Sequence, residues 1–199
     1  MSIIVPSKVF LTRGLGQHKE KLVSFEKALR EAGIAPFNLV RVSSIYPPHC
    51  ELVSKQEGLK LLLPGQILFV VLSESATDEP QRLVSASIGM AIPQDPTRYG
   101  YLAEHEGTGP TEKEAGLYTE YLAAEMLATK MGEHLKEPGK GRPAYRISNG
   151  MSLKTRSISQ TGAGEAGLWT TALAAAVLIS LIRCHITDYR NYFGDHPDS

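Results

Sequence analysis

The sequence contains little cysteine, no excess of either charge and no long uninterrupted apolar run. Its two cysteines, Cys50 and Cys184, match neither a disulfide framework nor the spacing of metal ligands. Lysine plus arginine and aspartate plus glutamate number 21 each, so electrostatics give no reason to expect nucleic acid or an anionic membrane as a partner. We therefore expect a protein without a bound metal, without nucleic acid and without membrane association.

The longest apolar stretch also argues against a membrane protein. Residues 168–182 are interrupted by threonine and serine, and they fall short of the roughly 20 residues that a spanning helix needs. The first six residues have neither the basic region nor the cleavage site of a signal peptide. These features predict a cytoplasmic protein. The 199 residues, 42% of them hydrophobic, predict one domain over 1–199 with a full core.

Apolar spacing and turn residues predict an order of helices and strands. Apolar residues at spacings of three and four indicate a helix over 18–32, and a capping box at Thr111 begins a second helix that ends near Met131. Strands are predicted over 5–12, 37–45, 66–73, 83–92, 99–104 and 153–159. Residues 168–181 fit a helix or a strand, because an unbroken apolar run has no period that decides between them.

The predicted order of elements, β-α-β-β-β-β-α-(β)-β, indicates an α+β fold rather than a doubly wound sheet. We expect a layered α/β sandwich of the αββα type with mostly antiparallel sheets. The segment Gly14 to Gly16 is expected to break the first strand. Residues 133–166, rich in glycine, serine and basic residues, are interpreted as a loop-rich insertion within the same domain, and residues 183–199 as a polar tail.

The segment 38–48 carries the feature with the clearest chemical meaning, a strand that ends in two serines and is followed by two prolines. Most Ser-Ser pairs only terminate a strand. In the alternative, the Ser44 hydroxyl attacks the Ser43 carbonyl, an ester replaces the amide, and β-elimination leaves residue 44 as a pyruvoyl group. This chemistry needs a strained near-attack backbone, which Pro47 and Pro48 help to impose, and amide or asparagine donors for the oxyanion.

Five segments, in this order, resemble the pyruvoyl-dependent arginine decarboxylases. They are Ser24–Ile34 (SFEKALREAGI), Asn38–Pro48 (NLVRVSSIYPP), Ser85–Pro93 (SASIGMAIP), Gly100–Gly107 (GYLAEHEG) and Gly167–Val177 (GLWTTALAAAV). Each motif alone is weak, but together they are specific and cover most of the chain from Pro6 to Val177.

The resemblance implies self-cleavage between Ser43 and Ser44. Residues 1–43 would form a β chain, and residues 44–199 an α chain that begins with the covalent pyruvoyl cofactor made from Ser44. The implied reaction is the decarboxylation of L-arginine to agmatine and carbon dioxide. A pyruvoyl ketone supplies the electron sink for that reaction without the lysine that pyridoxal phosphate requires. The implied assembly is a homotrimer or a dimer of trimers.

The resemblance also assigns roles to three further residues. Asn38 corresponds to the asparagine associated with the active site and self-processing. Glu104 corresponds to the acid that protonates the carbanion after carbon dioxide leaves, and its neighbours His105 and Glu106 are expected to point elsewhere. Glu26 falls where an acidic helix residue contacts the far end of the substrate, although archaeal members carry the shorter aspartate there.

Several alternatives stay open on the sequence. Glu104 also fits a solvated loop carboxylate, and Glu26 also fits a surface ion pair with Arg30. On one regular strand, Asn38 and Ser44 share a face but lie roughly 20 Å apart, which favours a site shared between subunits. Pyruvoyl chemistry on another amino acid, or an unprocessed homo-oligomeric binding protein, are the competing functions.

Overall fold

A computed structural model of the chain describes residues 4–136 and 145–180. Within these ranges the elements are, in order, β1 (Lys8–His18), α1 (Lys21–Ala32), β2 (Asn38–Arg41), β3 (Ile45–Tyr46), β4 (Glu51–Leu52), α2 (Lys55–Leu59), β5 (Ile67–Thr77), β6 (Leu83–Ile92), β7 (Gly100–Thr108), α3 (Glu112–Lys130), β8 (Leu135–Lys136), β9 (Arg146–Ile147), β10 (Lys154–Ala163) and β11 (Trp169–Ile179).

The strands form two stacked sheets and a small hairpin. The first sheet has the strand order β2-β5-β11-β1-β4, the second has the order β10-β6-β7-β3, and β8 pairs with β9. The pairs are antiparallel except β1 with β4 and β2 with β5. The predicted α+β class with mostly antiparallel sheets is therefore confirmed.

Three apolar clusters separate four layers. One cluster fills the space between the sheets, with Val71, Ile88 and Leu102 among its members. A second, around Phe10 and Leu173, lies between the first sheet and α1. The third lies between the second sheet and α3 and is lined by the alanines of that helix. The layers follow the order helix, sheet, sheet, helix.

The first strand does not break at its glycines, contrary to the sequence prediction. β1 continues through Gly14 and Gly16 to His18, paired with β11 along its whole length. A Cβ atom at Gly14 would lie 2.0 Å from the carbonyl oxygen of Ala28, and one at Gly16 would lie 2.0 Å from that of Ser24. The glycines therefore allow the backbone of α1 to lie directly on the strand, which is a packing role and not a turn.

The ambiguous run near residue 170 is a strand. β11 lies between β1 and β5 in the first sheet and is covered on both faces, so that every residue from Thr170 to Ile179 is buried. A strand buried on both faces needs no alternation of apolar and polar residues, which explains why its period was uninformative. The alanines there favour helix locally, and the tertiary context decides against it.

The segment 133–166 contains more regular structure than predicted. The strand expected over 153–159 is present and longer, as β10, and it forms the edge of the second sheet beside β6.

The short helix α2 was not predicted, although its capping box, Ser54 with Glu57, is readable in the sequence. The tail predicted over 183–199 lies outside the described residues.

The strand predicted over 37–45 is two strands in different sheets. β2 ends at Arg41 and lies at the edge of the first sheet beside β5, whereas β3 begins at Ile45 and lies at the edge of the second sheet beside β7. The assumption of one regular strand from Asn38 to Ser44 is therefore wrong. Residues 42–44 cross between the sheets, and we call them the serine crossing.

Candidate active site

Hydrogen bonds hold the serine crossing at both ends. The Val42 N–H donates to the Val70 carbonyl in the first sheet at 3.0 Å, and the Leu102 N–H donates to the Ser44 carbonyl in the second sheet at 2.8 Å. The peptide bond between Ser43 and Ser44 therefore lies between one hydrogen bond to the first sheet and one to the second.

The Ser44 hydroxyl lies against the carboxylate of Glu104. Ser44 Oγ donates to Glu104 Oε2 at 3.2 Å, across 60 positions of sequence. β7 brings Glu104 there because β3 pairs with its first residues, Ile45 opposite Tyr101. Ser44 is half-buried, and Glu104 is exposed in the single chain. The structure thus brings together three of the predicted residues, Ser43, Ser44 and Glu104.

The Ser43 carbonyl also has a close donor. The Ile45 N–H donates to this oxygen at 2.9 Å, which closes a three-residue turn centred on Ser44. The described non-glycine residues with positive φ are His49 and Gln81, so the backbone at Ser44 has a negative φ. The turn is therefore of the inverse γ type, which is common at strand ends.

The residues after the crossing are held tightly. The Tyr46 hydroxyl donates to the Cys50 carbonyl at 2.6 Å, and the His49 N–H donates to the Pro96 carbonyl at 2.8 Å. Burial, with the nearby Cys50, raises the pKa of the Tyr46 hydroxyl. Burial likewise raises the pKa of the Cys50 thiol to about 11. Both groups are therefore neutral at physiological pH, and this flank of the crossing is a rigid, uncharged support.

A polar cleft of about 260 Å³ lies beside Glu104. Its lining includes Glu74 and Glu106 as well as Glu104, with Arg41 as the one guanidinium in it. Arg41 Nη2 donates to Glu74 Oε2 at 2.6 Å. Three carboxylates against one cation leave the cleft with negative charge, which favours a cationic ligand.

Sequence reasoning missed two features of this cleft. Glu106 was expected to point away from Glu104, but residues two apart on a strand share a face, and both line the cleft. His105 does point to the other side, where its ring packs edge-on against Tyr118 with centroids 4.8 Å apart. Glu74 was not predicted at all, because the pairing of β2 with β5 that places it near Arg41 has no local signal in the sequence.

The two remaining predicted residues lie elsewhere in the chain. Asn38 is exposed at the start of β2, where its side-chain amide donates to the Gly65 carbonyl at 2.8 Å. Glu26 is on α1, in the outer helical layer, and accepts a hydrogen bond from Arg30 Nε at 2.6 Å. That contact is the surface ion pair weighed as the alternative for Glu26. Neither side chain is hydrogen-bonded to Ser44 or Glu104.

Two other kinds of feature are absent from the described part of the chain. No group of three or more histidine, cysteine, aspartate or glutamate residues is placed there to hold a metal ion. Among the helices over 4–136 and 145–180, none is long and apolar enough to cross a membrane.

Comparisons with known proteins place this geometry in context. The profile of the family described as pyruvoyl-dependent arginine decarboxylase matches residues 8–182. A probable pyruvoyl-dependent arginine decarboxylase of Chlorobium limicola is 52% identical over 178 residues, covering 88% of this chain and 98% of that protein. Pyruvoyl-dependent arginine decarboxylases of Nitrosopumilus maritimus (88% and 98% covered) and Thermoplasma volcanium (90% and 99%) are 50% and 49% identical over 180 residues.

Proposed function

The chain belongs to the pyruvoyl-dependent arginine decarboxylases, and on that premise we propose that it cuts itself between Ser43 and Ser44 and then converts L-arginine to agmatine and carbon dioxide. The observation that carries the cleavage site is the position of this peptide bond, held between one hydrogen bond to each sheet. These two bonds restrict the backbone on both sides of the peptide bond, and restriction of this kind favours reaction between the Ser44 hydroxyl and the neighbouring carbonyl.

The proposed cleavage balances with one water. The Ser44 oxygen forms a bond to the Ser43 carbonyl carbon, the peptide C–N bond breaks, and the freed amine takes the hydroxyl proton. Loss of the Ser44 Cα proton then forms a double bond between Cα and Cβ and breaks the Cβ–Oγ bond, which releases Ser43 as a carboxylate and leaves an enamine that tautomerises to an imine. Hydrolysis with one water releases ammonia and leaves a ketone at residue 44.

The residues around Ser44 fit the pyruvoyl group that the family uses. Ser44 supplies its carbon atoms, and the Leu102 N–H fixes the adjoining carbonyl. When present, the group supplies a ketone that binds the substrate amine and withdraws electrons as carbon dioxide leaves. Glu104 lies next to that position and delivers the proton to Cα of the product. The acidic cleft beside it suits the positive charge of arginine.

We further propose that the complete site is shared between protomers of a homotrimer or dimer of trimers, in the cytoplasm. Asn38 is the active-site asparagine and Glu26 the acidic partner of the guanidinium, both contributed across the interface. Two facts support this: neither residue is hydrogen-bonded to the Ser44–Glu104 pair of its own chain, and Glu104 is exposed in the single chain. Asn38→Ala and Glu104→Gln chains, each inactive, should regain activity when refolded together. No recovery despite proven subunit exchange would contradict the shared site.

The substrate proposal is tested by assay of the purified protein without added pyridoxal phosphate. Arginine should give agmatine and carbon dioxide, and denaturing mass spectrometry should find chains of 43 and 156 residues. Lysine should be a poor substrate, because a bidentate contact to a guanidinium does not transfer to an ammonium. Equal rates on lysine or ornithine would contradict arginine as the substrate, whereas a single intact chain would contradict the enzyme itself.

A further inference from the structure

The serine crossing contains a donor at the oxygen on which charge develops during self-cleavage. When the Ser44 hydroxyl attacks, the Ser43 carbonyl oxygen becomes the oxyanion of the tetrahedral intermediate. The Ile45 N–H already donates to this oxygen at 2.9 Å in the uncut chain. Donors within 2.7–3.1 Å of an oxyanion are those that stabilise such an intermediate.

The register of β3 explains why this N–H is free to do so. Ile45 is paired with Tyr101, and the adjacent residues, Ser44 and Leu102, are joined by a backbone hydrogen bond. Ile45 and Tyr101 are therefore a non-hydrogen-bonded pair of the antiparallel ladder. In such a pair, the N–H and C=O groups of each residue point away from the partner strand. β3 is an edge strand, so no further strand covers that side. The Ile45 N–H therefore faces back to Ser43.

Asn38 of the same chain does not compete for this role. Its side-chain amide is engaged with the Gly65 carbonyl, on the first sheet. Ser44 Oγ is meanwhile oriented by Glu104. Within one chain, the Ser44 hydroxyl is thus the nucleophile, the Ser43 carbonyl is the electrophile and the Ile45 N–H is the donor.

We propose that the main-chain N–H of Ile45 is the oxyanion donor for self-cleavage. This inference rests on the proposed cleavage between Ser43 and Ser44 and assigns one step of it. The donor stabilises the negative charge on the Ser43 oxygen while the new C–O bond forms and the C–N bond breaks. It acts before any pyruvoyl group exists, so its effect is read from cleavage and not from decarboxylation.

The first test is Ile45→Pro, which removes the N–H, beside Ile45→Val, which keeps it. Proline is tolerated on edge strands where the N–H faces away from the sheet, so the fold should survive. Loss of one oxyanion donor costs a factor of about 10²–10³, so Ile45→Pro should cleave at least a hundredfold more slowly than Ile45→Val. Cleavage is followed by denaturing mass spectrometry, and the fold by the thermal unfolding midpoint of each uncut chain.

A second variant covers the case in which Ile45→Pro does not fold. Cys50 allows ligation of a synthetic 1–49 segment to an expressed 50–199 segment, with an ester in place of the amide between residues 44 and 45. The side chains then stay unchanged and the N–H is absent. Slow cleavage relative to the all-amide ligated chain supports the proposal, and equal rates overturn it. If the all-amide chain itself stays whole, the proposed cleavage fails instead.

Discussion

Residues 42–44 and residues 78–82 both carry the chain from the first sheet to the second, but their backbone hydrogen bonds go to different kinds of partner. The longer connection, which we call the polar crossing, is exposed throughout and turns at Gln81 with φ of 64°. It is bonded to a neighbouring loop: the Gln81 N–H donates to the Gly164 carbonyl at 2.8 Å, and the Gly164 N–H donates to the Arg82 carbonyl at 2.9 Å. Within the polar crossing, the side chains of Glu79 and Arg82 form an ion pair.

Within residues 4–136 and 145–180, no neighbouring loop is hydrogen-bonded to the backbone of the serine crossing. Its hydrogen bonds go to the two sheets at its ends and back onto itself at Ser43. The comparison teaches that one connection fastens its backbone to a neighbouring loop, whereas the other, at which we propose the cut, fastens its backbone to both sheets. Mutations should therefore affect chemistry in the serine crossing and stability in the polar crossing.

The largest effect is expected at the nucleophile. Ser44→Ala removes the attacking oxygen, so the protein should remain a single chain of 199 residues after any incubation. Ser43→Ala is the matched control, because residue 43 supplies only its carbonyl, and it should still give the two chains. Intact mass distinguishes these outcomes. Cleavage of Ser44→Ala at the same bond would show that the Ser44 hydroxyl is not the nucleophile.

The next effect is expected at Glu104. Glu104→Gln keeps a hydrogen-bond acceptor for the Ser44 hydroxyl, so cleavage should still give both chains. The amide has no proton of suitable acidity for Cα, so turnover of arginine should fall by about 10²–10⁴. Agmatine release is measured on cleaved protein, with arginine binding measured separately by calorimetry.

Glu106→Gln is the control for that prediction, since Glu106 lines the same cleft, whereas the hydrogen bond from the Ser44 hydroxyl goes to Glu104. Its turnover should fall less than that of Glu104→Gln. A cleaved Glu104→Gln protein with normal turnover would mean that the proton comes from elsewhere.

A smaller effect, on stability only, is expected beneath the polar crossing. A Cβ atom at Gly164 would lie 2.0 Å from the carbonyl oxygen of Glu79, so Gly164→Ala forces the two loops apart. Overpacking of this kind costs about 1–3 kcal/mol of unfolding free energy. Denaturant unfolding of the uncut Ser44→Ala background measures it, with exposed Glu165→Ala as a control within about 0.5 kcal/mol. Self-cleavage in the wild-type background should continue at its normal rate.

No cleavage is expected when the dipeptide alone is moved. The double variant Pro80→Ser with Gln81→Ser places Ser-Ser in the polar crossing, where the backbone is exposed and bonded to a neighbouring loop instead of to both sheets. Mass spectrometry should find a cut only after residue 43. A second cut between residues 80 and 81 would show that the dipeptide itself, and not the hydrogen bonds that hold the serine crossing, determines reactivity.

The sequence predicted the fold class and most of the strands, and the resemblance named Ser44 and Glu104 separately, which the structure joins by a hydrogen bond. β6 was predicted at its observed bounds, because its apolar run is bordered by clear turn residues. The split of 37–45 into two strands could not be predicted, since it depends on which sheet each half joins. Glycines that break a strand and glycines that accept a helix look alike in sequence, which is why Gly14 and Gly16 misled the prediction.

The long-range contact at Ser44 also sets an order of events in time. Ser44 leaves the ribosome 60 residues before Glu104, and β11, which pairs with β1 along its whole length, is made later still. A cut in the nascent chain would set β1, α1 and β2 free before their partners exist. Val70 and Leu102, whose hydrogen bonds hold the serine crossing, are also made after it. The geometry of the proposed cut therefore forms only after both sheets have folded around the crossing. After the proposed cut, the first 43 residues would be held only by noncovalent contacts, strand pairing and the packing of α1 among them, so the protein would fold as one molecule only once in its lifetime.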